Sequence, residues 1–337
     1  MDPFTQGVLG AALPQAMARK STVVLAGIFG FLAGLAPDLD VLIRSDDDPL
    51  LFLEYHRQFT HALIFIPIGG LLTAGLLHVL IGRRWGLPFL QSLLFCTLGY
   101  GTHGLLDFAT SYGTMLFWPF NDVRYAASII SIIDPIFTLP VAAFALISAI
   151  KRSPFYARLA LIWAALYLSL GFAQHQAARD MAEETAHTRG HQVERLTVKP
   201  SFGNILIWKT LYEANGRYYV DAVRPRFGPM VFPGTSVATL DTARDFSWLD
   251  PASQQFRDIA RFRWFSQGYI ARNPSAPDQV IDVRYSFLPN DIKPLWSIEL
   301  AREAGPHAHV AFRTDHGDGR ASMAALWPMI TANKENE

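Results

Sequence analysis

Three short polar clusters carry the chemistry-bearing residues of an otherwise apolar first half. They are Pro37-Asp38-Leu39-Asp40, His56-Arg57-Gln58-Phe59-Thr60-His61 and His103-Gly104-Leu105-Leu106-Asp107. Imidazole nitrogens and carboxylate oxygens together suit a divalent metal, zinc first, with manganese and iron accepting the same mixed set. His103 and Asp107 are four residues apart, so a helix sets them on one face. His56 and His61 are five apart, a spacing that suits a loop turning into a helix. Asp38 and Asp40 follow a helix that Pro37 is expected to end. Three histidines and three aspartates are enough to bridge two ions. A bound divalent ion lowers the pKa of its water to about 7, so the chemistry implied is hydrolysis. Arg57, inside the histidine cluster, could neutralise an anionic substrate group.

Each cluster alone has a blander reading as a helix cap or topology marker. The joint pattern is harder to explain that way, because ionisable residues beside apolar spans are expensive and mark function by default. The elements that must position them are runs long enough to cross a bilayer. Residues 62–82, 87–109, 126–150 and 155–173 qualify, and 21–37 is a shorter span ending at the Asp-x-Asp. That makes five expected spans, with the apolar segment 3–18 a sixth, short candidate. Asp134, ahead of Pro135 in the 126–150 run, needs a partner there. It is expected either to bind metal or to orient a ligand histidine from outside the coordination sphere. His78, His187 and His191 read as solvated, and so do Asp46–Asp48 and the late group His307, His309 and His316.

Basic residues fall in alternate loops: Arg19 and Lys20, then Arg83 and Arg84, then Lys151, Arg152 and Arg158. The positive-inside rule puts these loops in the cytoplasm. All three ligand clusters then lie at the extracytoplasmic face of an inner (cytoplasmic) membrane, and the C-terminal half leaves the last span on that side. No basic n-region or cleavage site is visible near residue 1, so insertion is expected to use the spans themselves.

The chain is 50% hydrophobic and only 17% charged, with zero formal net charge. An average soluble protein is about 25% charged, and the deficit lies almost wholly before residue 176. Nothing basic enough for nucleic acid is present. The lone Cys96 excludes an internal disulfide and a thiolate metal site. The fold expected is a polytopic α-helical membrane domain, 1–175, followed by a small α+β soluble domain. A helical linker covers 176–194 and breaks near Gly190. The α+β domain covers 195–332, with a tail at 333–337. Within it, 204–213 and 217–224 flank Ala214-Asn215-Gly216 as a hairpin. Residues 251–272 read as an amphipathic helix with Phe256, Ile259, Phe262 and Phe265 on one stripe. Residues 279–287, 295–302 and 309–314 read as further strands.

The clusters also carry a resemblance. With Met1-Asp2-Pro3-Phe4-Thr5, Thr110-Ser111-Tyr112-Gly113, Leu116-Phe117-Trp118-Pro119-Phe120 and Ile133-Asp134-Pro135, in this order, the chain resembles the inner-membrane, metal-dependent hydrolase family of the YdjM type. The resemblance covers about 1–175. It implies a membrane protein with a metal site and a poorly defined hydrolase activity. One departure stands out: members often carry His after Asp-Pro-x-Thr, and this chain has Gln6. Gln6 reaches the site only if 3–18 is a sixth span. A site at headgroup depth suggests a lipid-linked or phosphoester substrate drawn from the bilayer. The competing reading is a non-catalytic membrane protein with a structural metal, serving binding, transport or as a regulatory anchor.

Overall fold

The computed structural model describes residues 1–315, 317 and 319–332; His316 and the tail 333–337 lie outside the described residues. Chain contacts divide it into two units. The first comprises Met1–Leu42, Tyr55–Ala173 and Phe202–Asn204; the second comprises Ile43–Glu54, Gln174–Ser201 and the residues from 205 onward.

The first unit is helical. Helix α1 spans Pro3–Met17, with Asp2 as its N-cap accepting from the Thr5 amide and Pro3 at the first turn, where a missing N–H costs nothing. Helix α2 spans Val23–Leu35 and tightens into a 3₁₀ segment, Ala36–Leu42, that carries Asp38 and Asp40. Helix α3, Leu51–Tyr55, leads to a 3₁₀ turn at Phe59–His61. Helices α4 (Ile66–Leu77), α5 (Phe89–Ala109), α6 (Pro135–Ile150) and α7 (Pro154–Thr188) follow. Helices α1, α2 and α5 meet at glycines: a Cβ on Gly30 would collide with the Gly10 carbonyl oxygen, and one on Gly99 with that of Gly30. Such close backbone approach is how helices associate in lipid, where burying apolar surface gains little. Phe29, Cys96, Phe95 and Tyr100 fill the core beside this contact.

Among the described residues, three helical stretches are long and apolar enough to cross a membrane: Val23–Leu42, Leu63–Trp85 and Pro154–Thr188. The sequence predicts five. Helix α5 has the length, but its site-bearing end is polar. The run 126–150 divides, because Asp134 N-caps a helix that starts only at Pro135. The residues before it form no regular helix, and Ala127 and Ile129 donate to the carbonyls of Phe108 and Ala109 at 2.7 and 2.9 Å. Those bonds close the end of α5, next to Asp107.

The second unit is α+β, as the sequence predicts. Strands β1 (Arg195–Pro200), β2 (Trp208–Ala214), β3 (Arg217–Arg224) and β4 (Met230–Ala238) form one antiparallel sheet in that order. The expected hairpin is β2–β3, and Asn215 and Gly216 turn with φ of 52° and 67°. After a short α8, Thr242–Asp245, the amphipathic helix α9 spans Gln254–Phe265. It is shorter than expected: Gln267 and Gly268 take positive φ and redirect the chain into a strand. Strands β5 (Ile270–Arg272), β6 (Gln279–Asp282), β7 (Trp296–Glu299) and β8 (Ala311–Thr314) make a second sheet, and α10 covers Gly319–Thr331.

The core under the second sheet includes a segment from far upstream. Leu50 and Leu53 are buried against Phe246, Phe262, Ile298 and Val310. Asp48, expected to be a solvated loop charge, is instead bonded by Arg261. His309, expected on the surface, has its Nδ1 2.9 Å from the buried Asp258.

Candidate metal centre

The structure brings all six proposed ligand residues together, in two groups that share Asp38. One is Asp38, His61, His103 and Asp107; the other is Asp38, Asp40 and His56. Within each group the donor atoms lie within 4.8 Å of one another. Helix α5 presents His103 and Asp107 one turn apart, and the 3₁₀ segments present Asp38 and His61. Gly104, between His103 and Asp107, lets the His61 backbone settle against the helix; a Cβ there would strike the His61 carbonyl.

In the first group, four donor–donor distances between the histidines and the carboxylates are short. His61 Nε2 lies 3.5 Å from Asp38 Oδ1 and 3.3 Å from Asp107 Oδ2. His103 Nε2 lies 3.2 and 3.7 Å from the same two oxygens. Bonds of about 2.0–2.1 Å around one zinc put neighbouring donors roughly 3.3–3.4 Å apart, the scale seen here. His61 Nε2, His103 Nε2 and Asp107 Oδ2 are buried and have no hydrogen-bond partner among the described residues. Buried polar atoms are rarely left so, and three converging on one point fit a cation. Arg57 Nε is 3.1 Å from Asp107 Oδ2 but is not aligned to hydrogen-bond it.

The far sides of both imidazoles are held. His103 Nδ1 lies 2.6 Å from the Gly34 carbonyl, so it donates there and leaves Nε2 as the lone-pair nitrogen. His61 Nδ1 lies 3.2 Å from Asp40 Oδ2 and 2.9 Å from Thr60 Oγ1. Asp40 also accepts from the Arg57 amide at 3.0 Å and the Thr60 hydroxyl at 2.8 Å, and His56 Nδ1 is 2.8 Å from its other oxygen. Such outer bonds fix tautomer and ring orientation at metal sites. Arg57 takes φ 63°, an uncommon conformation for a side-chain-bearing residue, and its amide bond to Asp40 helps to hold it. Burial opposes charge on His61. The Asp107, Asp38 and Asp40 carboxylates outweigh that and push its imidazole up to about 10. The same carboxylates favour a cation at this point.

Two expected residues sit differently. Arg57 is 4% exposed, with Nη1 donating to Thr110 Oγ1 at 3.2 Å and the guanidinium 5.2 Å from the Tyr112 ring centre. Its charge is directed at Asp107 rather than at solvent. Asp134 accepts from the Tyr167 hydroxyl at 2.8–2.9 Å and from the Phe137 amide at 3.2 Å. The histidine-orienting position is occupied by Asp40, with the Gly34 carbonyl serving the other ring. Gln6 does reach the site: its amide nitrogen donates to Asp107 Oδ1 at 3.0 Å. Sequence reasoning missed the Met1 amino group, which also contacts Asp107, and Thr60. The Thr beside the cluster histidine was the available signal for the second.

A membrane-type helical unit carrying a His/Asp cluster at the ends of its apolar helices defines the class. Residues 1–178 match the YdjM inner membrane protein family, and the chain belongs to it. The chain is 35% identical over 101 residues to inner membrane protein YbcI of Escherichia coli (strain K12), a match covering 29% of this chain and 56% of that protein. The chain thus spans about half the length of that curated relative. No solved structure matches it.

Proposed function

We propose that this protein is a membrane-embedded, metal-dependent hydrolase whose ion is held by Asp38, His61, His103 and Asp107. The observation that carries the reading is the set of three orphaned buried donor atoms spaced for one tetrahedral ion. When bound there, a divalent ion supplies Lewis acidity and a water acidified to a pKa near 7. Zinc suits the two-nitrogen, two-oxygen set best.

The residues around it divide the remaining work. Asp38 has a quarter of its side chain exposed and His56 a third, whereas His61 and His103 have none, so substrate approach is from the Asp38–His56 side. His56 is held at Nδ1 by Asp40, with the ring a third exposed. Asp38, Asp40 and His56 also offer a second cation position beside the first. Arg57 offsets the charge of Asp107, and its backbone amide donates to Asp40 beside His61. Asp134 caps α6 and accepts from the Tyr167 hydroxyl of α7.

The substrate proposed is a lipid-linked or phosphoester amphiphile, because the ligands sit at the ends of apolar helices. We further propose a multi-pass inner-membrane topology with the C-terminal unit outside the cytoplasm. The basic loops at Arg19–Lys20, Arg83–Arg84 and Lys151–Arg152 support it. A panel of phosphomonoesters, phosphodiesters and carboxyl esters, offered in detergent with zinc or manganese, tests the activity. Turnover that disappears in His103→Ala and Asp107→Asn supports it; turnover surviving both rejects these residues. The burial of three of the four ligands favours a second reading, a structural ion tying α2 to α5. Stoichiometric metal without turnover on any ester would select it.

A further inference from the structure

We propose that Arg261 is a positioning residue for the metal centre, clamping from the C-terminal unit the segment that joins the two sets of ligands. The inference rests on the metal reading above. Residues 43–54 leave the chain just after Asp40 and return it at His56, so whatever fixes them fixes the entry to both ligand turns. Two kinds of contact fix them. Leu50 and Leu53 are 1% and 6% exposed and belong to the core built by Phe246, Phe262 and Ile298. Arg261, on α9, supplies the polar half.

Its guanidinium makes a bidentate pair with Asp48, at 2.9 and 2.8 Å. Its Nε donates to Glu54 at 2.6 Å, and Nη1 donates to Asp258 at 3.1 Å. Glu54 is two residues before His56, and the single turn α3 makes that connection short and regular. Asp258 is fully buried and also accepts from the Val310 amide, with His309 Nδ1 2.9 Å away. One guanidinium therefore holds three carboxylates. An isolated surface pair contributes little, but a bidentate, partly buried network is the exception. Removing the arginine would leave Asp48 and Glu54 facing the buried Asp258 charge. The repulsion would push 43–54 off the domain and slacken the turns that hold His56 and His61.

Full-length protein in detergent, with Co²⁺ as the probe, tests this. The readouts are Co²⁺ affinity, its d–d absorption bands, and hydrogen exchange of residues 55–61 without added metal. Arg261→Met is expected to weaken Co²⁺ binding by about tenfold or more, the scale of lost outer-shell support. It should also shift the bands and speed exchange at 55–61. Arg261→Lys, which keeps the charge, should recover most of the affinity. Arg302→Met, which removes an exposed pair with Asp278, should change nothing. Wild-type affinity, bands and exchange in Arg261→Met would overturn the clamp. If Arg261→Met does not fold, Leu53→Ala carries the same test through the apolar contact, with a smaller shift expected and no shift overturning it. If the wild type takes up no Co²⁺, the metal reading fails by itself, and unchanged exchange at 55–61 in the variants would still sink the clamp.

Discussion

Asp40 and Asp38 are two residues apart and chemically alike, yet the geometry gives them different work. Asp38 shares its oxygen with both histidines of the tetrahedral group, whereas Asp40 faces the rear nitrogen of His61. Asp40→Asn is therefore expected to keep metal but to bind it about 10- to 100-fold more weakly, as when a ligand's hydrogen-bond partner is lost. His103→Ala should lose it outright. Titration with a competing chelator separates the two. Of this cluster, the residues that come together were legible in the sequence. His103 and Asp107 are one helical turn apart, and each other pair occupies one short motif. The division of labour was not legible, because it depends on which nitrogen or oxygen faces inward. Arg57 illustrates the limit: its place in the motif suggested substrate charge, and its burial beside Asp107 assigns it to the protein.

At the level of elements, the site depends on how closely α1, α2 and α5 approach. Gly30 meets backbone from both neighbours, and an added methyl has nowhere to go. Gly30→Ala is expected to lower stability by roughly 1–3 kcal/mol, the usual cost of overpacking, and to weaken metal binding because Gly34 and His103 shift with it. Thermal unfolding in detergent checks the first part, and Gly75→Ala, in open space, is its control. The small-residue pattern in α2 was readable as a packing face. The 126–150 run was not readable as two pieces from hydropathy alone, since Ile129, Ile130, Ile132 and Ile133 are as apolar as any span. The Asp134-Pro135 step was the signal, a cap followed by a first-turn proline. Leu50-Leu51-Phe52-Leu53, between Asp46–Asp48 and Glu54, was similarly a signal that the loop is packed, although its partner lay about 200 residues away in sequence.

Across the whole molecule, the two units should respond differently to pH. In the second unit Lys209 is buried on β2, its Nζ donating to Ser286 Oγ at 2.8 Å and to the Asp291 carbonyl at 2.6 Å. Burial pushes its ammonium down to about 7, against the opposing pull of Asp291 and Asp282. Between that value and the ordinary lysine range near 10.5, the unfolded chain binds the extra proton. Stability should therefore rise with pH across this window, at up to about 1.4 kcal/mol per unit, and the penalty is complete below about pH 7. Lys199, buried and lowered in the same direction, adds to the effect. Denaturant unfolding at pH 7 and pH 9 checks it, and Lys209→Met should flatten the dependence. Sidedness is also a property of the whole chain. With Cys96 replaced, an impermeant thiol reagent applied to intact cells is expected to label a cysteine at position 240 and not one at position 84. The reverse pattern would overturn the orientation. Both the α+β class of this half and its β2–β3 hairpin were legible from alternation and the Asn-Gly turn. The pairing of residues 43–54 with its core was not, because no local pattern encodes so distant a contact.

The most direct test of the metal centre is the metal content of the purified full-length protein, measured by elemental analysis beside His61→Ala and His103→Ala. The expected result is at least one divalent ion per chain in the wild type, and in both variants the loss of the ion held by the four-donor group. Wild-type protein that binds no ion when offered zinc, manganese or iron, or variants that retain it in full, would contradict the account.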